Sequence, residues 1–304
     1  STADKWCIGG MAMSADTNGT IFSTNGGATW NKSTVQGASG SYQPGNTGTL
    51  GQVAGDGTDN MMAANQSYGI MKSQNAGASF EFTSAVVNSV GGLYYGLTSI
   101  ATDGNGRWVS CGNMTTSNTA NNCYYSDDFG VNWTQNTMPS GLKQCGPMTY
   151  ANGTYVVLYT ADNSSGNDRV VYSTDGITWT MGTLPSQSSG GDTYNWGSTI
   201  VYINGVWWVY SNKQNQATMA TSYDLLNWTI GGPIRGSGVS SSDYIYQAAV
   251  GLAPGDTNES IVAIKGATFS PVYYTDQLTG GSIGTSALTF TDNTNLANFR
   301  VGDA

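Results

Sequence analysis

The sequence contains no histidine, and this absence removes a large class of chemistry from consideration. Histidine is the most frequent general base of enzymes and a common ligand of zinc. The four cysteines, Cys7, Cys111, Cys123 and Cys145, form no Cys-x-x-Cys pair either. The usual zinc sites and histidine-based general base catalysis are therefore excluded.

Charged residues are also scarce, since they make up only 10% of the chain, and their balance is acidic. Ten lysine and arginine residues stand against 19 aspartate and glutamate residues, which gives a net charge of −9. Glu81 and Glu259 are the only glutamates. Because a nucleic-acid-binding face needs a basic patch, we expect no nucleic-acid partner.

Long apolar runs are missing as well. No run reaches the roughly 18 residues that predict a membrane-spanning helix, and no polybasic patch or signal-peptide pattern is present, so we expect no membrane insertion. Sustained helical periodicity is absent too. What the chain does contain is glycine and asparagine every few residues, and aromatic residues spread along its length, which together are typical of short, packed strands joined by tight turns.

One pattern is repeated along the chain, Ser-x-Asp/Asn-x-Gly-x-x-Trp/Phe. Three full copies, a shortened copy, a copy without the glycine and a degraded copy occur at residues 23–30, 73–80, 126–133, 173–179, 222–228 and 274–290. Their aromatic residues recur at intervals of about 50 residues, which is the length of a four-stranded propeller blade.

The pattern predicts a hairpin turn. The serine ends one strand, the Asp or Asn oxygen accepts backbone N–H groups, and the glycine takes a positive φ. The aromatic residue begins the next strand and is expected to bury its ring between neighbouring sheets. The residues expected in the acceptor and aromatic roles are Asn25, Trp30, Asn75, Phe80, Asp128, Trp133, Asp175, Trp179, Asp224 and Trp228.

This motif resembles the Asp box of the BNR repeat family, which occurs in sialidases, sortilin-type receptors, xyloglucanases, photosystem assembly factors and many phage virion proteins. The resemblance covers the whole chain. It implies the fold strongly and the function weakly, because the Asp box is structural wherever it occurs. We therefore expect an all-β fold, in which residues 1–304 form a single six-bladed β-propeller with four-stranded antiparallel blades.

The first blade lacks its innermost strand, because residues 5–10 match the second strand of a blade, such as residues 107–112. The C-terminal segment, residues 298–303, is similar to the missing first strand. We therefore expect this segment to pair beside residues 4–10, which closes the ring and removes a free sheet edge.

In such a blade the Asp-box turns lie at one face, and the long loops from the fourth strand to the next blade lie at the other. These loops place aromatic rings beside amide and carboxylate groups, a combination that suits sugar binding, and loops on a rigid scaffold often carry function. The expected ligand-binding residues are Tyr94, Tyr95, Asp192, Tyr194, Trp196, Arg235, Asp243, Tyr244 and Tyr246. The alternative interpretation is that these rings pack the loops or contact a neighbouring protein.

A sialidase-like glycoside hydrolase is the rival hypothesis. That family binds its substrate through three arginines and uses a tyrosine–glutamate pair with an acid/base aspartate. Residues 299–301 are similar to one arginine strand of the family, but Arg107, Arg169 and Arg235 do not lie at matching positions. We therefore expect no catalytic residues and no enzymatic activity.

Two further features concern cross-links and ions. Cys111 and Cys123 flank one predicted hairpin loop and are candidates for a cross-strand disulfide, although four cysteines allow three full pairings. Asp-rich turns at residues 56–57, 103–106 and 162–168 offer oxygen ligands for Ca²⁺. They lack the ordered spacing of a dedicated calcium loop, so we expect turn chemistry there and no cofactor.

The composition, rich in Gly, Ser, Thr, Asn and Tyr and poor in Lys, resembles that of phage virion and tail proteins and of bacterial surface adhesins. The sequence therefore favours a binding or structural module with an extracellular or virion-surface location. Its expected partner is a glycan or a protein of a larger assembly.

Overall fold

The computed structural model describes the greater part of the chain. The described residues are 5–9, 20–26, 28–36, 50–65, 69–83, 97–112, 123–142, 144–160, 169–185, 199–210, 218–233, 244–252, 259–266, 272–275 and 300–301. They form strands joined by turns, and none of them belongs to a helix long and apolar enough to cross a membrane.

The strands assemble into six sheets within the described ranges. The first sheet contains β1 (Trp6–Gly9), β2 (Thr20–Ser23) and β3 (Asn31–Lys32). The second contains β4 (Thr34–Gln36), β5 (Leu50–Gly55), β6 (Met61–Asn65), β7 (Gly69–Ser73) and β8 (Ser79–Phe82). The third contains β9 (Leu97–Thr102), β10 (Trp108–Gly112), β11 (Cys123–Ser126) and β12 (Thr134–Gln135).

Three more sheets follow along the chain. The fourth contains β13 (Gln144–Ala151), β14 (Thr154–Thr160), β15 (Arg169–Ser173) and β16 (Thr180–Thr183). The fifth contains β17 (Thr199–Ile203), β18 (Val206–Tyr210), β19 (Thr218–Ser222) and β20 (Thr229–Pro233). The sixth contains β21 (Tyr244–Leu252), β22 (Glu259–Gly266), β23 (Val272–Thr275) and β24 (Arg300–Val301).

Four of the sheets are meanders, in which strands that follow one another in sequence are hydrogen-bonded neighbours; the second and sixth sheets are meanders to which β4 and β24 add an edge strand out of sequence order. The turns explain this order, because short connections place consecutive strands side by side. The β13–β14 and β17–β18 turns are Asn152-Gly153 and Asn204-Gly205, and both residues of each have positive φ. This is the two-residue hairpin turn that Asn-Gly favours.

Strand β6 of the second sheet shows how the core is built. Met61 and Ala63 face a cluster that includes Phe80, whereas Met62 and Ala64 face a second cluster that includes Trp108. Alternate side chains of a strand point to opposite faces of its sheet, so β6 reads as a continuous apolar run because both of its faces are buried.

Strand β4 lies in residues 34–48, which were expected to form one of the long loops that lead to the next blade. It leaves the first sheet and pairs in parallel with β8, with Thr34 opposite Ser79. The same arrangement recurs as an isolated parallel bridge between Thr137 and Thr178. At these two places the chain that leaves one sheet therefore lies beside the Asp-box hairpin of the next sheet. The alternation of apolar and polar residues along a strand does not reveal this contact.

The predicted pairing of the C-terminal segment with residues 4–10 is wrong for the residues that the structure describes. Arg300 and Val301 pair instead with Leu252 and Gly251 at the free edge of β21. The resemblance of the segment to a first strand did not specify its neighbour, because ladder hydrogen bonds join backbones and any unpaired strand edge accepts them.

A disulfide joins Cys111 and Cys123, which lie directly opposite each other in β10 and β11. Both side chains are fully buried.

The chain divides into two compact units, and the first consists of residues 1–156, 173–180 and 303. The second consists of residues 157–172, 181–302 and 304.

Candidate functional site

The repeated Ser-Asp turns are the most regular polar feature of the described residues. We number them along the chain, so that the first to fifth boxes are residues 23–30, 73–80, 126–133, 173–179 and 222–228. In chain order, they connect β2 to β3, β7 to β8, β11 to β12, β15 to β16 and β19 to β20. Of the degraded sixth copy, only Tyr274 and Thr275 are among the described residues, at the end of β23.

The eight-residue boxes share one hydrogen-bond pattern. In the third box, Ser126 Oγ donates to Asp128 Oδ1 at 2.8 Å and accepts the N–H of Gly130 at 2.9 Å. Asp128 Oδ1 also accepts the N–H of Asn132 at 2.8 Å. The first and second boxes place an asparagine Oδ1 in the aspartate's role. An amide oxygen therefore serves as well as a carboxylate, because the turn requires only an acceptor.

The seven-residue boxes shift these contacts by one residue. In the fourth box, Ser173 Oγ accepts the N–H of Gly176 at 2.8 Å. Asp175 Oδ1 accepts two backbone N–H groups, from Ile177 at 2.8 Å and from Thr178 at 2.7 Å. The fifth box repeats this arrangement around Asp224. The shorter turn is thus tighter and uses the acceptor twice.

Box length also decides the backbone conformation. The second and third boxes contain two successive left-handed residues, the latter pair being Phe129 and Gly130 with φ of 53° and 74°. The seven-residue boxes contain one, which is Gly176 in the fourth and Leu225 in the fifth. A left-handed leucine costs about 1–2 kcal/mol relative to glycine. The sequence shows that the fifth box lacks the glycine, but it does not show that Leu225 adopts the left-handed conformation in its place.

The box carboxylates are held in the ionised form. Hydrogen bonds from the backbone and side-chain amides of Asn132 lower the pKa of Asp128. At Asp175, desolvation raises the pKa, but the N–H groups of Thr178 and Ile177 outweigh this effect and bring the pKa to about 2. Hydrogen bonds to a carboxylate favour its charged form. Both groups therefore act as fixed acceptors at neutral pH and not as proton donors.

The second, third and fourth boxes also pack against the preceding sheet. A Cβ placed on Gly77 would lie 3.1 Å from Cys7 Sγ, and one on Gly130 would lie 3.0 Å from Met62 Cε. One on Gly176 would lie 2.8 Å from a methyl carbon of Val109. The three contacted residues lie at the same position of β1, β6 and β10, one residue after Trp6, Met61 and Trp108. Glycine is needed at this position for close approach as well as for its φ.

Arg107 joins the third and fourth boxes. Its Nε and Nη2 atoms donate to the two carboxylate oxygens of Asp127 at 2.7 and 2.8 Å. Its Nη1 atom donates to the backbone carbonyl of Asp175. The hydrogen bond to Asp127 raises the pKa of Arg107 and, from the other side, lowers the pKa of the carboxylate. The guanidinium therefore holds the third and fourth boxes together. This role of Arg107 was not predicted from the sequence.

The prediction that every box aromatic buries its ring between neighbouring sheets is wrong in part. Phe80 and Trp179 are buried, whereas Trp133 and Trp228 are half-buried and Trp30 is 39% exposed. Trp30 precedes β3, a two-residue strand whose side chains are both exposed. The Asp box fixes the position of the aromatic residue in the chain, but the residues around its ring determine how much of the ring is buried.

Strands β5, β9 and β13, which belong to three successive sheets, approach one another closely. A Cβ on Gly51 in β5 would lie 2.0 Å from the backbone oxygen of Thr98 in β9. From the same strand, the Gln52 amide donates to the Met148 carbonyl in β13 and accepts the N–H of Met148 at 3.0 Å. Thr98 Oγ1 donates to the Cys145 carbonyl at 3.3 Å. Sequence reasoning did not single out these contacts, which join residues far apart in the chain.

The predicted ligand-binding residues are not tested by this arrangement. Tyr94, Tyr95, Asp192, Tyr194, Trp196, Arg235 and Asp243 lie outside the described residues. Tyr244 and Tyr246 are described as backbone positions in β21. These residues remain predictions.

The candidate calcium turns are described in part. Asp56 Oδ1 accepts the N–H of Thr58 at 2.9 Å, and Asp103 Oδ1 accepts the N–H groups of Asn105 and Arg107 at 2.8 and 3.0 Å. These carboxylates thus serve as turn acceptors. Within the described ranges, no three Cys, Asp or Glu side chains are grouped as metal ligands. The candidate turn at residues 162–168 lies outside those ranges.

Six small sheets follow one another along the described residues, and five of them contain a Ser-Asp turn of the same kind, which defines a protein of the β-propeller class. The family model of the BNR repeat-like domain matches residues 49–235, which is more than half of the chain. The chain therefore belongs to the BNR repeat-like domain family. Among curated protein sequences, none matches it.

Solved structures with a similar fold come from proteins of different function. The GH74 xyloglucanase of Xanthomonas campestris is 17% identical with a TM-score of 0.62, covering 91% of this chain and 44% of its own. YCF48 bound to D1 peptide is 14% identical with a TM-score of 0.57, covering 90% and 74%. PorZ, a surface component of the type-IX secretion system of Porphyromonas gingivalis, is 13% identical with a TM-score of 0.56, covering 88% and 37%.

These similarities show a shared fold. The chain spans less than half the length of the xyloglucanase chain and about three quarters of the YCF48 chain.

Proposed function

We propose that residues 1–304 form a six-bladed β-propeller that works as a non-enzymatic binding module on a virion or cell surface. Its partner is a glycan or a neighbouring protein of the same assembly, bound by the loops that lead from the fourth strand of one blade to the first strand of the next. The six successive sheets support the blade number, and the propeller-class neighbours support the architecture.

The observation that carries this proposal is that the recurrent polar residues form hydrogen bonds within the turns that they stabilise. Asp128 and Asp175 are held by turn N–H groups, and Arg107 is held by Asp127. A catalytic carboxylate needs a tuned pKa and access to a substrate, whereas these groups are fixed in one protonation state. The repeated motif therefore supports the fold, and we assign recognition to the long loops between blades.

The fold itself accommodates both kinds of partner. One neighbour is named as a xyloglucanase, another was solved with a bound peptide, and a third is a bacterial surface component. Function in such folds resides in sites added to a common scaffold. The similarity to a xyloglucanase keeps a glycoside hydrolase as the second candidate.

Binding is tested with a glycan array on the purified chain, followed by affinity measurements on Trp196→Ala and Tyr244→Ala. Removing an exposed binding ring is expected to leave the urea midpoint unchanged and to weaken binding by at least about 2 kcal/mol. Trp108→Ala is the reference for a core ring and is expected to lose about 3–5 kcal/mol of stability. If Trp196→Ala and Tyr244→Ala unfold as early as Trp108→Ala, the proposed face is wrong.

Catalysis is tested separately with sialosides, aryl glycosides and xyloglucan. We expect no turnover of any of them. A rate that is abolished by Arg300→Ala would replace the binding module with a sialidase-like hydrolase. Turnover of xyloglucan that persists in this variant would instead indicate a hydrolase of the xyloglucanase type.

A further inference from the structure

One face of the third sheet carries both the disulfide and a serine. Ser99 of β9 lies directly opposite Cys111 of β10, and Cys111 lies directly opposite Cys123 of β11. Directly opposed residues of antiparallel strands place their side chains on the same face of the sheet, with Cβ atoms about 4.5–5.5 Å apart. The Ser99 side chain and the Cys111–Cys123 disulfide therefore share one face of the sheet.

A third cysteine contacts this face from the fourth sheet. Cys145 of β13 places its Sγ atom 3.1 Å from Ser99 Oγ, and the same Oγ donates to the Cys111 carbonyl at 3.2 Å. Because β10 lies between β9 and β11, Cys111 is the half of the disulfide that lies next to Ser99. The Cys145 thiol and the nearer half of the disulfide therefore contact one serine side chain.

The farther half of the disulfide also faces the fourth sheet. Asn136 Nδ2 donates to Cys123 Sγ at 3.8 Å and to the Gly176 carbonyl of the fourth box at 2.9 Å. Contacts near both halves of the disulfide therefore place the fourth sheet against the face that carries it.

The three sulfur atoms differ in their access to solvent. Cys111 and Cys123 are completely buried, whereas Cys145 is partly exposed and lies outside the disulfide. A disulfide is exchanged only when a thiolate reaches one of its sulfur atoms. A reductant dissolved in water therefore has no direct route to this disulfide while the sheets stay folded, but the Cys145 thiol already lies on the covered face.

We propose that Cys145 exchanges with the buried disulfide and thereby makes it accessible to small thiols in solution. The Cys145 thiol loses its proton to water, and the thiolate attacks Cys111 Sγ. A Cys111–Cys145 bond forms as the Cys111–Cys123 bond breaks, and the electron pair of the broken bond leaves on Cys123, which takes up a proton. This step consumes no oxidant or reductant.

Reduction by a small thiol completes the sequence. The small thiol attacks Cys145 Sγ of the Cys111–Cys145 bond, forms a mixed disulfide with Cys145 and releases Cys111 as a thiol. A second small thiol restores the Cys145 thiol and leaves as the small-molecule disulfide. Two small thiols are oxidised for each disulfide of the chain that is reduced.

The first test asks whether Cys145 reaches Cys111 in the folded chain. The full chain with Cys123→Ser retains Cys111 and Cys145, and the matched variant Cys111→Ser retains Cys123 and Cys145. Each variant is treated with oxidised glutathione, and the disulfides formed are mapped by mass spectrometry. We expect the Cys111–Cys145 bond to form at least about tenfold faster than the Cys123–Cys145 bond, since exchange depends on access to the sulfur that is attacked. Equal rates, or no Cys111–Cys145 bond, would overturn the proposal.

The second test uses chains that retain the native disulfide. The unmodified chain, Cys145→Ser and the control Cys7→Ala, which removes the other cysteine outside the disulfide, are reduced with dithiothreitol without denaturant. We expect the disulfide of Cys145→Ser to be reduced at least about tenfold more slowly than that of the unmodified chain, because the reductant must then wait for the sheets to open. Cys7→Ala should be reduced no more slowly than the unmodified chain.

A slower rate in Cys145→Ser cannot arise from a loss of stability, since a less stable chain opens more often and exposes its disulfide faster. Reduction of Cys145→Ser that is as fast as that of the unmodified chain, or faster, would show that the reductant reaches the disulfide without Cys145. That result would overturn the proposal.

Discussion

Replacing Gly176 with alanine tests whether the fourth Asp box packs against the preceding sheet or acts only as a local turn. Gly176 has a φ of 68°, and an alanine Cβ there would meet a methyl carbon of Val109 at 2.8 Å. Val109 is completely buried in β10, so it has little room to move. The Arg107 and Tyr155 side chains would each lie 3.2 Å from the same Cβ.

The turn glycine Gly153 provides the control. Its φ of 71° matches that of Gly176, but a Cβ there would meet nothing within 4 Å. Both alanine variants carry the cost of a left-handed alanine, about 1–2 kcal/mol. Only Gly176→Ala also carries the cost of overpacking, which is typically about 1–3 kcal/mol. We therefore expect about 2–5 kcal/mol of destabilisation for Gly176→Ala and about 1–2 kcal/mol for Gly153→Ala.

The assay is urea unfolding followed by tryptophan fluorescence, with the free energy of unfolding compared between the two variants. The difference between them, about 1–3 kcal/mol, measures the packing of the fourth box against the preceding sheet. If the two variants were equally destabilised, the box would act only through its backbone conformation. The packing of the box against the preceding sheet, inferred from the Gly176 contacts, would then be refuted.

Three further predictions concern the boxes and the disulfide. Asp175→Ala should lower the free energy of unfolding by about 1–2 kcal/mol, as the loss of a cap does, whereas Asp175→Asn should lower it less because the acceptor oxygen remains; urea midpoints of the two variants check this. The folded-state pKa values of Asp128 and Asp175 lie below the unfolded value, so their contribution to stability is complete above pH ~4 and should be lost as the pH falls towards 2, which urea midpoints measured against pH will follow. Cys111→Ser/Cys123→Ser should lose about 2–4 kcal/mol under non-reducing conditions and respond no further to reductant; an unchanged midpoint would contradict this.

The sequence alone determined the repeat and most of its local consequences. The serine and aspartate of each box contact residues within four positions, so the turn is encoded in a window of eight residues. The meander of strands follows for the same reason, since short turns leave consecutive strands side by side. The opposition of Cys111 and Cys123 was also accessible, because the two residues flank one hairpin loop.

The tertiary structure decided what each box contacts beyond itself. Arg107 reaches Asp175, 68 residues away, and Gln52 reaches Met148, 96 residues away. Neither pairing leaves a periodic signal in the sequence. Leu225 takes the left-handed conformation of a glycine, although leucine has no preference for it. Local patterns therefore specify the turns, and packing between sheets selects which residues they meet.

The difference between local turns and packing between sheets also explains the two predictions that were wrong. Trp30 occupies the aromatic position of its box but stays partly exposed, because ring burial depends on the residues that surround it and not on the turn. Residues 300–301 were recognised as a strand, yet they pair with β21 and not with β1. Backbone hydrogen bonds carry no residue identity, so the sequence determined that this segment is extended, and only the tertiary structure decided which strand edge it joins.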